Sequence, residues 1–411
     1  MENGALALLR RRDFRRLYLA VAVSELGDAF HYIALMWIAL VKGGPIGVMI
    51  VRLADSIPAL VFGFHGGIAA DRWNRKRIMV TADLARGAIL IPVAVAGLSG
   101  RLPLWGLALA AFLLETATSY FAPAYSALMP ALVDRNNVQE ANGLLGATTN
   151  ALSIGGWAAA AGMLALMPLS AFFVLNAVSF FVSAVFIGSI HQPGTVLAAN
   201  AERPQLRETL NALKLAPELG LTVIVVGLAL TISAGTWIAG VPELVRSVLH
   251  RGAGGYSMVM VGYAVGSMAV GAALARFPIK NKARVSMLAW TLYFFAYGLF
   301  AFSTSLTVAI AASILAAAGQ TGAAILLTSA AQEQIADDVL GRVMGVISLV
   351  YRGAHATGLL LISPLFAIFA PATMFAGAAV AIPLIGLSGA TLAYFNERRR
   401  RLETAAGSPA G

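Results

Sequence analysis

Cysteine is absent from the 411 residues, and charged side chains make up only 12% of them. Without cysteine there are no disulfides, thiolate metal sites or thiol nucleophiles. No G-x-x-x-x-G-K-[ST] run occurs, so the chain carries no P-loop for ATP, and it has neither H-E-x-x-H nor clustered candidate metal ligands. Soluble domains carry roughly 25% charge. Half of that, beside 59% apolar residues and a mean hydropathy of +0.80, excludes a soluble enzyme, a nucleic-acid-binding protein and a disordered chain. The class that remains is a polytopic helical membrane protein. A net charge of +10 fits the excess of Lys and Arg on cytoplasmic loops better than it fits nucleic acid.

What is present is a series of apolar segments. Twelve approach the roughly 20 residues a helix needs to cross a bilayer: 15–41, 45–69, 78–99, 104–122, 139–166, 170–190, 219–242, 256–276, 284–303, 305–330, 340–366 and 371–395. None alternates polar and apolar at every second residue, as a membrane-spanning strand would. The first is too long for the apolar core of a signal peptide and reads as an uncleaved span. Twelve crossings put both ends of the chain on one side. The loops on that side hold 22 of the 29 Lys and Arg, and the opposite loops hold four. That asymmetry assigns both termini to the cytoplasm.

The longest polar stretch, 191–218, contains Pro193, Gly194, Pro204 and Pro217. It reads as a cytoplasmic linker between two six-helix halves, 1–190 and 219–411. The halves look like a repeat. Gly67-Ile68-Ala69-Ala70-Asp71-Arg72 follows the second span, and Gly271 to Arg276 follows the eighth, 204 residues later. Asp134 after the fourth span matches Asp337 after the tenth at an offset of 203. A parallel repeat of this kind suggests a transporter with a site near the midplane.

The stretch from Gly66 to Arg77 (Gly-Gly-Ile-Ala-Ala-Asp-Arg-Trp-Asn-Arg-Lys-Arg) resembles the loop motif between helices two and three of the major facilitator superfamily. The departure is Asn74, where the family often has Gly; Asn tolerates a positive φ better than other non-glycine residues. Gly27-Asp28, Pro58, Asp83 with Arg86, Phe121 to Ala124, Met129-Pro130 and Gly341-Arg342-Val343 extend the likeness over nearly the whole chain. Together they resemble the branch containing macrolide-efflux proteins and the enterobactin exporter. The resemblance implies an all-α fold of two six-helix bundles, a monomer, a bacterial cytoplasmic membrane, and a cavity lined by helices one, four, seven and ten. It also implies a conformational latch built from Gly67, Asp71, Arg72, Arg75 and Lys76. There Asp71 would sit at the start of helix eleven, near Gly341, where a carboxylate satisfies free N–H groups. A basic loop that only sets topology is the plainer reading. Ile154-Gly155-Gly156 in span five lacks the proline that many drug antiporters carry there.

Charges inside spans are costly and so are functional candidates. In span one, Glu25, Asp28, His31 and Tyr32 lie three or four residues apart on one face. Span four contributes Glu115 and span ten Gln320. Gln320 fits a cavity wall or a bend. Burial disfavours the charged form of a carboxylate, so Glu25, Asp28 and Glu115 can exchange protons, and proton and cationic cargo would compete for them. Each could equally be held in a fixed pair. His31 could relay protons or simply pack. Arg52 and Asp55, three apart in span two, can pair together, or Asp55 can meet Arg352, which lies with His355 in span eleven. Asp83 and Arg86, also three apart, read as a structural pair on a peripheral helix.

The leading expectation is a proton-coupled exporter of a small amphipathic molecule, working by alternating access. The alternative is a transporter of the same fold with another driving force, moving a siderophore, metal chelate or lysolipid, with Arg52 and Arg352 as counter-charges. No cofactor, metal or nucleic acid is expected. The repeat and the loop motif argue against a membrane-embedded enzyme.

Overall fold

The computed structural model describes residues 5–134, 137–191, 216–277, 279–335 and 337–406. Most of the linker 191–218 and the end of the tail therefore lie outside the described residues, as do the side chains of Asp337, Gly341 and Arg342. Among the described residues all regular structure is helical. The order is α1 (Arg12–Arg72), α2 (Arg75–Leu98), α3 (Leu104–Leu128), α4 (Val138–Met163) and α5 (Ala171–Gly188), then α6 (Pro217–Ser247), α7 (Ala253–Arg276), α8 (Lys282–Ala289), α9 (Leu292–Ala301), α10 (Leu306–Gln334), α11 (Asp337–Leu361) and α12 (Pro371–Ala406). Nine of the described helical stretches are long and apolar enough to cross a membrane by length and composition.

Two departures from one helix per span have local causes. The 61 residues of α1 hold the first two apolar segments, and their regular geometry is interrupted at Gly44, with φ 59° and ψ −155°. Glycine adopts that conformation without steric cost, and Pro45 then restarts a helix. A Cβ on Gly47 would lie 2.4 Å from the Ala39 carbonyl oxygen, so the chain doubles back there. The ninth segment is broken into α8 and α9 at Trp290 and Thr291. At the break, a Cβ on Gly386 of α12 would lie 2.6 Å from the Met287 oxygen, and one on Gly319 of α10 3.0 Å from the Ala289 oxygen. With α1 read as two crossings and α8 with α9 as one, the helices are consistent with twelve.

The contacts divide the chain into two compact units, Met1–Ala201 with Arg251–Val261, and Glu202–His250 with Gly262–Gly411. In the first, α1 packs on α3, α5 and α4, and α2 on α5 and α3. Phe14, Leu17, Met79, Leu128, Leu132 and Ile187 form a buried cluster there. Gly27 and Gly66 set the closest approaches: a Cβ on Gly66 would lie 2.0 Å from the Ser119 oxygen. The first turns of α7 belong to this unit, with Tyr256 stacked on Trp37 at 6.3 Å.

In the second unit α6 packs on α11 and α12. A buried aromatic column runs through Trp290, Tyr293, Tyr297, Phe300 and Phe375. The α6–α11 crossing is backbone against backbone. A Cβ on Gly235 would lie 2.2 Å from the Gly358 oxygen, and one on Gly358 2.1 Å from the Thr231 oxygen. Small residues permit this in a membrane, where close packing replaces the hydrophobic drive between helices. Gly358→Ala should therefore lower stability by about 1–3 kcal/mol, read as an earlier thermal transition in detergent. Gly353→Ala on the same helix meets open space and should leave the transition in place or raise it. Equal behaviour of the two variants would refute the close crossing.

Candidate functional site

The polar groups of the first unit converge on α1. Asp28 is preceded by Gly27, whose missing side chain lets α5 approach: a Cβ there would lie 2.2 Å from Ser179 Oγ and 2.5 Å from Asn176 Oδ1. Across this contact Asn176 Nδ2 donates to Asp28 Oδ1 at 3.1 Å. Asn176 is fully buried, and Ser179 Oγ holds its side-chain oxygen at 2.9 Å, which aims the amide NH2 group at Asp28. One turn earlier in α1, Glu25 Oε1 accepts from Ser153 Oγ of α4 at 3.0 Å.

The Asp83 and Arg86 side chains face the interior of their bundle. Asp83 is fully buried and Arg86 nearly so. Arg86 donates to Asp83 Oδ1, and Ser183 Oγ donates to Asp83 Oδ2 at 2.7 Å. The guanidinium is sandwiched between the rings of Phe121 at 4.3 Å and Phe180 at 4.5 Å, so cation–π attraction replaces part of its lost hydration. Its Nε has no hydrogen-bond partner among the described residues. Arg86 and Asp83 are both near enough to act electrostatically on Asp28, as is Glu25. The pair expected to be purely structural thus belongs to the same polar group as the carboxylate expected to be functional.

A second set lies nearer the Gly44 turn. Arg52 is bonded to Asp55 within α1, the first of the two pairings open from the sequence. Glu115 of α3 acts electrostatically on Arg52. The His31 ring packs edge-on against Phe173 at 5.4 Å, and its Nδ1 is buried without a partner among the described residues. Tyr32 packs against Trp157.

The expected residues of the second unit lie in different surroundings. Gln320 Oε1 accepts from Tyr293 Oη at 3.2 Å, and Ser233 Oγ donates to the same tyrosine at 3.0 Å. Tyr297 Oη donates to the Ser233 carbonyl at 3.0 Å. This network contains hydroxyls and an amide and no charge. His355 Nδ1 lies 2.8 Å from the Tyr351 carbonyl, and Arg352 is exposed on its unit.

The loop between α1 and α2 is held from within its own bundle. Arg75 is buried and donates to the carbonyls of Ala70 at 3.2 Å and Ala127 at 3.1 Å. Lys76 Nζ donates to the Ile190 carbonyl at 2.6 Å, satisfying an oxygen just past the end of α5. Asp71 and Arg72 are exposed, and Gly67 faces open space. Asn74 does not use a positive φ: its φ is −66°, and its Oδ1 accepts from the Arg77 amide at 3.0 Å as the cap of α2. A capping side chain contributes about 1 kcal/mol that glycine would not supply in full.

A family profile described as transmembrane secretion effector, within the major facilitator superfamily, matches residues 3–405. The chain belongs to this family. Its relatives are transporters of the same superfamily. YfiS, an uncharacterized MFS-type transporter of Bacillus subtilis, is 24% identical over 51% of this chain and 51% of its own length. Macrolide efflux protein A of Streptococcus pyogenes is 24% identical over 44% of this chain and 45% of its own length. The putative bacilysin exporter BacE of Bacillus amyloliquefaciens is 28% identical over 77% and 79%. The match spans about half the length, or less, of the first of these curated relatives. Among solved structures, the nucleoside transporter NupG superposes with a TM-score of 0.69 at 14% identity, over 93% of this chain and 98% of that one. The POT family transporter PepTSo does so with a TM-score of 0.69 at 14% identity, over 94% and 99%. At such identities these two likenesses show the fold alone.

Sequence reasoning picks out Asp28, Glu25, Asp83 and Arg86 but misses the residues that hold them: Asn176, Ser179 and Ser183 of α5, and Ser153. A signal is present, since 176, 179 and 183 form one polar stripe at helical spacing in an otherwise apolar helix. Breaking one side of a buried ion pair costs about 3–5 kcal/mol, whereas replacing both sides by apolar groups is far milder. Arg86→Met should therefore unfold at a markedly lower temperature in detergent than the double variant Asp83→Leu with Arg86→Met. A double variant no more stable than the single one would show that the pair is not energetically coupled.

Proposed function

We propose that this MFS-type transporter is an exporter of a small amphipathic molecule driven by proton antiport, with Asp28 as the principal proton-exchanging group. The observation that carries the reading is a carboxylate within a membrane-spanning helix that accepts its hydrogen bond from a neutral amide, Asn176, while the nearby buried cation, Arg86, is bonded to a different carboxylate. Among the described residues, Asp28 therefore has no dedicated cation to keep it permanently charged. It can lose a proton with Arg86 close by and regain one without leaving an ion uncompensated. Glu25 and Glu115 are secondary exchange or cargo groups, and His31 and Gln320 contribute polar contacts to the cargo. The names of two relatives, a macrolide efflux protein and a bacilysin exporter, support outward transport of a compact natural product.

In this reading the protein works by alternating access between its two halves, as a monomer in a bacterial cytoplasmic membrane with both termini inside. Gly67, Asp71 and Arg72 form the moving part of the latch, since Arg75 and Lys76 are committed to carbonyls of their own bundle. Arg352 and His355 are the candidate polar groups of the second half.

The test uses purified protein in liposomes that enclose a pH-sensitive dye. With a pH gradient imposed, a panel of macrolides, peptide antibiotics and siderophores is added. At least one should provoke proton movement in the wild type, and Asp28→Asn should abolish it while leaving binding of that compound measurable. Flux of a labelled compound that is indifferent to a collapsed pH gradient would overturn proton coupling and favour the same fold with another driving force. In that case Arg52 and Arg352 would serve as counter-charges for an anionic or zwitterionic cargo.

A further inference from the structure

A groove of about 530 Å3 lies between α2 and α3 where α2 leaves the α1–α2 loop. Its volume is in the range of sites that hold small ligands. Trp73 and Arg77 stand at one end, Tyr120 lines one side, and Ile78, Ala82 and Ala85 form an apolar wall. None of its lining residues is acidic. Exposed apolar residues also lie further along α2, at Leu84, Ile91 and Val95, and along α3, at Leu109 and Leu113. In a membrane-spanning chain such residues face acyl chains.

The three charges at the start of α2 differ in how they are compensated. Arg75, Lys76 and Arg77 occupy the first turn, where the helix dipole is positive and cations are disfavoured. Two of the three are compensated: Arg75 by the Ala70 and Ala127 carbonyls, Lys76 by the Ile190 carbonyl. Arg77 is exposed, has no side-chain partner among the described residues, and lines the groove. Membrane topology accounts for positive charge in this loop. It does not account for an apolar cleft beneath the one cation of this turn left uncompensated, or for an exposed indole beside it. Indole rings favour the headgroup level of a bilayer.

We propose that this groove binds an anionic phospholipid, with its phosphate on Arg77, its glycerol region against Trp73 and an acyl chain along Ile78, Ala82 and Ala85. The site requires only that the chain spans a membrane, so it stands apart from the question of cargo and coupling ion.

The test is quenching of Trp73 by lipids with brominated acyl chains, with purified full-length protein in detergent micelles. The share due to Trp73 is the difference between the wild type and Trp73→Phe. Brominated phosphatidylglycerol should half-quench that share at about fivefold lower concentration than brominated phosphatidylcholine, the factor one basic side chain contributes at an anionic surface. Arg77→Gln should erase the difference between the lipids, and Arg77→Lys should keep most of it. Arg77 is exposed, so unchanged elution and helical content are expected of both variants. Equal quenching of the wild type by the two lipids would overturn the proposal without recourse to any variant at position 77. A preference that survives Arg77→Gln would overturn the role of Arg77.

Discussion

Inside a bilayer no water is available to satisfy a polar group, so one left without a partner within the chain is costly. That constraint organises the interior of both units. In the first, it ties Glu25 to Ser153, Asp28 to Asn176, and Asp83 to Ser183 and Arg86, linking α1 to α4 and α5 and α2 to α5. In the second, the interior network is built from phenols, a serine and Gln320. The carboxylates Glu25, Asp28 and Asp83 are thus tied into the hydrogen-bond network of the first bundle, while the network around Tyr293 in the second is built from neutral groups.

Packing and chemistry meet at Gly27. Its lack of a side chain brings α5 against α1, and that approach is what allows Asn176 to reach Asp28. The same device, glycine opposite a carbonyl or a small polar side chain, recurs at Gly66, Gly235 and Gly358. Helices held this closely move as blocks, because packed interiors change by discrete rearrangement and do not deform continuously. A bundle of that kind can carry a buried charge change without melting.

Much of the architecture is legible in the amino-acid sequence. Apolar segments of spanning length announce the helices, and the loop motif from Gly66 to Arg77 points to the superfamily. What escapes such reading has physical causes. The fusion of two segments into α1 depends on a single φ at Gly44, and the break at Trp290 depends on where Gly319 and Gly386 press from other helices. Neither leaves a mark in local hydropathy. Arg86 and Asp83 read as a pair because they lie three apart, but their depth and the flanking Phe121 and Phe180 come from α3 and α5. Asn74 looks like a tolerated exception to glycine; its φ of −66° and its bond to the Arg77 amide make it a helix cap. Function is legible to the level of transport, since cargo is chosen by cavity shape.

The central claim is that Asp28 gains and loses a proton within the membrane. Infrared difference spectroscopy on protein in lipid films, comparing alkaline with acidic buffer, tests it most directly. The account predicts a carbonyl stretching band of a protonated carboxylic acid that appears on acidification and is missing from Asp28→Asn but present in Asp83→Asn. A difference spectrum unchanged by Asp28→Asn would contradict it and would leave Asp28 as a hydrogen-bonded packing residue of α1.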